Sequence, residues 1–296
     1  GALVAYCEYG PELTGYSLTL AQLKALTGAE LINVIKQLMS YEPEILYYGP
    51  TSVEELKQTL AKHYQKPAAF MQPAPESKFP LKEVTENSIF FAPYQAKQAR
   101  LVTYSRGEIF DKQLYPIISM YNQYFGGGMN AIVFQEMREA RGLAYSASAR
   151  FSEPALNKEG FPYIFSSFIA TQNDKMGQAI EAFEDIINNM PESEKSFSLA
   201  KDGLISTLRT ERITGRNLLN FYRQAKEKDL WTDMRKVVFE EADSLTLQDV
   251  VEFQRQWISK RPVTYCILSD IKALDLKHLA SYGKVVRLSS QDIFGY

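Results

Sequence analysis

The period of the apolar positions changes along the chain, and the changes divide it. Over residues 18–39 apolar side chains recur every three to four positions in two helical pieces. Thr27 stands as an N-cap ahead of Glu30, and Leu31, Val34, Ile35 and Leu38 form the apolar stripe. A short apolar run at 45–48, bounded by Pro43 and by Gly49-Pro50, predicts a strand, after which Ser52 caps a helix over VEELKQTLAKHY. Residues 66–80 carry Pro67, Pro73, Pro75 and Pro80 with little periodicity, which suits an extended linker. From Ser88 the period falls to two, in SIFFAP and again in ARLVTYSRG. Helices are then predicted over 114–125 and 130–141, and strands over 144–151 and 163–170. Further helices follow over 174–190, opened by Asp174, and over 193–213 and 216–230. Two strands, two helices, two strands, then helices and a last strand predict an α+β fold with a mostly antiparallel sheet covered by helices.

The two ends of the chain share a pattern. Leu245-Thr246 starts a helix, LQDVVEFQRQWIS, and Pro262 precedes an apolar strand, VTYCIL, as Leu26-Thr27 and Pro43 do earlier. The segments superimpose without a gap 219 positions apart, with identities at Leu26/Leu245, Thr27/Thr246, Gln37/Gln256, Ser40/Ser259 and Pro43/Pro262. Caps followed by a strand are common, so coincidence stays open. The repeat reading makes 1–65 the tail of a preceding related domain, 66–87 a linker and 88–296 a second unit with the same ending.

Composition narrows the class. At 296 residues, 45% hydrophobic and 23% charged, the chain reads as soluble and globular, with no window of twenty apolar residues that could span a bilayer. A net charge of -2 and a pI near 5.9 give no bulk electrostatic ground for a nucleic acid or an anionic membrane as partner. Cys7 and Cys266 lie at opposite ends of the sequence outside any metal-ligand spacing, and Cys266 reads as a small hydrophobe in its strand. The first residues lack the basic start and clean apolar core of a signal peptide, which in an excised fragment says nothing of compartment.

The most specific stretch is YNQYFGGGMNAIVFQEMREARGLAYSASARF, residues 121–151. Its triple glycine, Gly126, Gly127 and Gly128, invites a phosphate-loop reading. However, Met129-Asn130 replace the Lys and Ser/Thr of a Walker loop, and Ala131 holds the position of a dinucleotide fingerprint's third glycine. A hinge between two helices is the plainer reading. The two histidines, His63 and His278, belong to neither H-E-x-x-H nor H-x-x-E-H, and no G-x-S-x-G elbow occurs, so this chain is not expected to hold catalytic zinc. Arg138, Arg141 and Tyr145 remain. Helical spacing puts both arginines on one flank, and Gly142 ends the helix so that Tyr145 projects from the strand start. The group suits binding a peptide's carbonyls or carboxylate; equally, Arg138 could pair with a neighbouring Glu while Tyr145 packs.

The run FGGGMNAIVFQEMREARGLAYS resembles the signature of the carboxy-terminal type of domain in the pitrilysin/insulysin family of zinc metallopeptidases. The repeat and the ending YGKVVRLSSQDIFGY are similar to its tandem units. The resemblance implies a clamshell of two halves, each of two related α+β domains, closing around a peptide substrate. It places zinc in a catalytic half carrying H-x-x-E-H, in the same polypeptide or a partner subunit. This chain is then the non-catalytic portion, without metal and inactive in isolation. The opposing half in the family supplies an Arg and, seven residues on, a Tyr that bind substrate near the scissile bond, the spacing of Arg138 and Tyr145 here. The glycine run is similar to a loop that touches substrate in a non-catalytic processing subunit. The alternative is a scaffold or assembly subunit of the same fold without peptidase activity. Bacterial relatives often work in the cell envelope.

Overall fold

Helix caps written in the sequence set the first elements of the computed structural model, which describes residues 1–74, 79–109, 111–153, 162–230 and 232–295. Helices α1 (Ala2–Tyr9), α2 (Pro11–Gly15), α3 (Leu20–Ala25), α4 (Gly28–Leu38) and α5 (Val53–His63) precede the sheet. Thr19, Thr27 and Ser52 each accept from the backbone N–H three residues on, and Gln22, Glu30 and Glu55 reach back to the cap. Each box satisfies two N–H groups that a helix start otherwise leaves open, worth about 1 kcal/mol. Pro75, in the predicted linker, lies outside the described residues.

Strands β1 (Ser88–Pro93) and β2 (Gln98–Ile109) come next. Helix α6 (Tyr115–Tyr121) widens into a π-turn at Asn122–Gly126, and α7 (Ile132–Phe134) into another at Gln135–Ala140. Strands β3 (Ser146–Ser152) and β4 (Pro162–Gln172) lead to helices α8 (Met176–Asn188), α9 (Glu194–Thr210), α10 (Arg216–Glu227), α11 (Met234–Ala242) and α12 (Leu247–Trp257). The chain closes with β5 (Thr264–Ser269), α13 (Leu276–Leu279), β6 (Lys284–Arg287) and α14 (Ser290–Phe294).

The sheet order is β3-β4-β2-β5-β1-β6. The β3/β4, β4/β2 and β2/β5 pairs are antiparallel, whereas β1 lies parallel to both β5 and β6, so the sheet is mostly antiparallel as the sequence predicts. One face sends Phe91, Leu101, Phe151 and Phe165 into a core shared with Ile180 and Phe183 of α8 and Val250 and Phe253 of α12. Each such side chain, fully buried, contributes about 1.5–3 kcal/mol. A polar pair sits inside this apolar layer, where the Thr103 and Ser167 hydroxyls, in register on β2 and β4, offset their burial by hydrogen-bonding to one another at 2.6 Å. The opposite face carries Ala92, Tyr104 and Cys266 under Leu3 and Cys7 of α1 and Ile293 of α14. There the two free cysteines meet: a hydrogen bond with the Cys7 thiol, together with burial, pushes the Cys266 thiol pKa far above its ordinary value.

Two predicted features are corrected. Residues 45–48 form no strand, although their repeat counterpart is β5, which is hydrogen-bonded on both edges to β1 and β2. An extended run becomes a strand only where neighbours take up its backbone groups, and the bridge nearby joins Tyr41 to Met71 instead. Asp174 does not cap the helix after β4. It lies in a 3₁₀ turn, Asn173–Lys175, and the residue at the cap of α8 is Lys175.

Helices α4 and α12 occupy the repeat positions and both begin with a Thr capping box, to Glu30 and Asp249. Their surroundings differ. Val250, Val251, Phe253 and Gln254 of α12 are buried, whereas the counterparts Leu31, Ile32, Val34 and Ile35 of α4 are each more than half exposed.

Edge strand β3 is fastened by a side chain acting as a strand. The Phe151 N–H donates to Asn122 Oδ1 and its carbonyl accepts from Asn122 Nδ2, both at 2.8 Å. This pairing blunts the free edge at its buried end. Asn122→Ala leaves both backbone groups without partners and is expected to cost about 2 kcal/mol, read from urea unfolding. A loss within about 0.5 kcal/mol means that water replaces the amide freely.

Candidate functional site

The three glycines serve different ends. Gly126 closes the first π-turn against β3 so tightly that a Cβ would stand 1.8 Å from the Ala149 carbonyl oxygen. Gly127 and Gly128 are exposed, and Gly128 has φ +90, a backbone conformation that favours glycine. The chain then enters α7 with Ile132, Val133 and Met137 buried. Gly142, at φ 59, turns it out of the second π-turn, and the Leu143 and Ala144 N–H groups both donate to the Met137 carbonyl. The Tyr145 N–H donates to the Ala170 carbonyl at 2.8 Å, which sets the start of β3 beside β4.

This route delivers Arg138 and Tyr145 to one another. The Arg138 guanidinium lies 5.7 Å from the Tyr145 ring centroid and 5.0 Å from that of Phe134. Its contact with Glu139, 3.6 Å from Nε to Oε1, is too long for a good hydrogen bond. The Arg138 side chain is 45% exposed and Tyr145 69% exposed. Among the described residues neither the guanidinium nor the phenol makes a hydrogen bond, so their donors remain available. The four-residue spacing of Phe134 and Arg138 was the readable signal for the ring beneath the arginine, and sequence reasoning passed over it.

Arg141 is committed elsewhere. The wider winding of a π-turn carries it to α8, where Nη2 donates to Asp185 Oδ2 at 2.8 Å and Nε lies 3.5 Å from Glu136. The hydrogen bond to Asp185 raises the Arg141 pKa above its ordinary value, and the same bond holds the Asp185 carboxyl below its ordinary 3.8. A depressed carboxyl contributes stability above its unfolded pKa and loses it as pH falls through the folded one. Asp185→Asn is therefore expected to cost a few tenths of a kcal/mol near neutral pH, since the pair is largely exposed, with no difference left well below pH 3.8. Urea midpoints of both proteins across that range measure it.

The Arg138–Tyr145 pair stands on open surface. A cleft of ≈ 500 Å³ lies at Glu184, Asn188 and Arg261, and one of ≈ 670 Å³ lies at Leu218, Phe221 and Met234; neither is lined by the pair. Among the described residues no group of three or more His, Cys, Asp or Glu side chains could hold a metal ion. His278 instead packs against Gly177 of α8, its ring edge-on to Tyr282. No helix among the described residues is long and apolar enough to cross a membrane.

No curated protein matches the sequence. Solved structures do, with low identity. The peptidase M16 inactive domain from Pseudomonas fluorescens aligns with TM-score 0.61 and 16% identity, over 91% of this chain and 64% of that one. A conserved protein from Enterococcus faecalis aligns with TM-score 0.65 and 16% identity, over 87% and 59%. A mutant of the ferredoxin protease FusC, in complex with Arabidopsis ferredoxin, aligns with TM-score 0.62 and 13% identity, over 91% and 29%. The chain thus spans less than two thirds of each of these proteins, and at such identities the likeness establishes the fold. The family model for the peptidase M16 inactive domain matches residues 30–204, more than half the sequence and all of the glycine, Arg138 and Tyr145 region. The chain accordingly belongs to the peptidase M16 inactive-domain family, the non-catalytic portion of pitrilysin-like peptidases.

Proposed function

We propose that this chain binds peptide substrate and closes the chamber of a zinc metalloendopeptidase whose catalytic half, carrying H-x-x-E-H and the metal, lies in the same polypeptide or a partner subunit. The observation that carries the reading is the contrast between two neighbouring arginines. Arg141 spends donors on Asp185, while the Arg138 guanidinium, beside the Phe134 and Tyr145 rings and with only a long ion pair to Glu139, and the Tyr145 hydroxyl keep their hydrogen-bond donors. An Arg fork and a phenolic hydroxyl aimed at a carbonyl oxygen stabilise the negative charge that develops there during hydrolysis. Gly127 and Gly128 offer exposed backbone beside them, whereas Gly126 is spent on packing. The FusC protease structure, holding a ferredoxin, supports the idea that a relative of this fold takes a protein as ligand.

The same reading takes 1–65 as the tail of a preceding related domain, 66–87 as a linker and 88–296 as a whole domain of the carboxy-terminal type. The bare apolar face of α4, whose counterpart on α12 is buried, supports it.

Tyr145→Phe in the assembled peptidase is expected to lower kcat about tenfold, with KM changed much less, because the hydroxyl would act on the transition state more than on bound substrate. Steady-state kinetics on a peptide substrate measure this. An unchanged kcat removes the role.

A further inference from the structure

The face of the sheet opposite the helical core is covered unevenly. Helix α1 packs on β1 and β5, and its cluster reaches Val102, Tyr104 and Ile164. Beyond it, the same face of β4 and β3 is partly open: Ser148 and Arg150 are exposed, Ser146, Ser166 and Phe168 half-buried, and Ala170 buried. Register fixes what it displays. Tyr104, Ser166 and Arg150 stand in one row; Val102, Phe168 and Ser148 in the next; Arg100, Ala170 and Ser146 in the third. Arg150, Phe168 and Arg100 therefore form a diagonal across three adjacent strands. From strand rise and spacing, its ends are about 17 Å apart, the reach of roughly five residues of extended chain.

Three observations make this diagonal a binding surface. Arg100 and Arg150 are exposed, and among the described residues neither side chain makes an ion pair or a hydrogen bond. Phe168, half-buried between them, belongs to neither hydrophobic cluster. No Asp or Glu occupies the three rows. The next cation on the face, Arg106, is a different case: its Nε donates to the Lys82 carbonyl and it faces Glu8 of α1.

We infer that this face binds an extended acidic peptide segment, with two acidic side chains four to five residues apart on Arg100 and Arg150 and an apolar one between them on Phe168. The inference rests on the peptide-handling reading above and adds a substrate class to it. Both arginines are exposed, so their attraction acts through solvent and is screened by salt. The face accordingly selects by charge and spacing rather than by a pocket, and the Phe168 ring supplies the apolar contact.

The test uses fluorescence anisotropy of this chain with three dye-labelled ten-residue peptides sharing a central Phe: one rich in Glu, one neutral and one rich in Lys. At low salt the acidic peptide is expected to bind about tenfold more tightly than the neutral one and the basic peptide most weakly, the spread shrinking as salt rises. The double variant Arg100→Gln/Arg150→Gln should abolish the preference but keep the neutral affinity. Phe168→Ala should weaken all three, and Arg255→Gln on α12 should change nothing. Circular dichroism and thermal unfolding of each variant guard against misfolding. Equal binding of the three peptides overturns the inference and leaves the peptide-handling reading standing, as does a preference that survives the double variant. Failure of every peptide to bind overturns both. Concentration-dependent dimerisation lost in the double variant, without peptide preference, assigns the face to a second copy of the chain and overturns it as well.

Discussion

Gly126→Ala is expected to destabilise the domain by about 3 kcal/mol or more, the largest effect of any glycine substitution near the site. The added Cβ would stand 1.8 Å from the Ala149 carbonyl oxygen and 2.6 Å from its carbon, both backbone atoms of β3. No side chain can swing aside there. Relief requires moving either the end of the first π-turn or the strand that pairs with β4, and Asn122 ties those two elements together at Phe151. The neighbouring glycines provide the scale. Gly127→Ala meets only the Asn122 carbonyl oxygen at 3.3 Å and should stay within about 0.5 kcal/mol of the parent. Gly128→Ala has open space but a φ of +90, which should cost roughly 1–2 kcal/mol. Urea midpoints at unchanged m-value rank the three. A Gly126→Ala protein as stable as Gly127→Ala would mean that the close approach to β3 does not exist.

Three adjacent identical residues with three different roles mark a limit of reading the sequence. The run was recognisable as a helix-breaking turn, but which glycine touches β3 depends on a strand twenty residues later. Much of the rest was local, and therefore legible. Capping boxes at Thr27, Ser52 and Thr246, the period of two in β1 and β2, and the closing Gly142 all report on a few neighbouring residues. What escaped was non-local. The run at 45–48 has the composition of a strand, yet strands are completed by partners. Cys7 and Cys266 lie at opposite ends of the sequence and meet on one sheet face because α1 crosses β5. Arg141 looked equivalent to Arg138 under α-helical winding, and the π-turn turned it toward α8. The Arg138–Tyr145 spacing was legible because helix, glycine and strand follow one another directly, so that seven residues fix both directions. The diagonal of Arg100, Phe168 and Arg150 needed the sheet register before it could be seen.

Phe151→Ala is expected to cost about 3–5 kcal/mol, as deletion of a fully buried aromatic side chain usually does. The ring is inaccessible to solvent and lies 5.1 Å from the Tyr163 ring, 5.1 Å from Phe253 and 6.4 Å from Trp257, bringing β3, β4 and α12 to one point. The cost combines the lost apolar transfer with a cavity that the three elements cannot easily collapse around, and the edge-to-face contact with Phe253 adds to it. Phe253→Ala should be similarly damaging. The double variant should fall short of the sum by about 1 kcal/mol, because the second deletion enlarges a cavity already present. Tyr145→Ala, six residues earlier and immediately before the other end of the strand, should change stability by no more than about 0.5 kcal/mol. If Phe151→Ala costs less than about 1.5 kcal/mol, the aromatic cluster is not what fixes β3. The contrast between the two positions bears on the proposed binding roles as well as on the fold. Strand β3 is gripped at its Phe151 end by the core and by Asn122, so its other end can hold Tyr145 beside Arg138 and display Arg150 on the open face without those side chains contributing to the fold. Substitutions at the exposed positions therefore test binding and catalysis with the scaffold intact, whereas the loss of Phe151 should disorder all three at once.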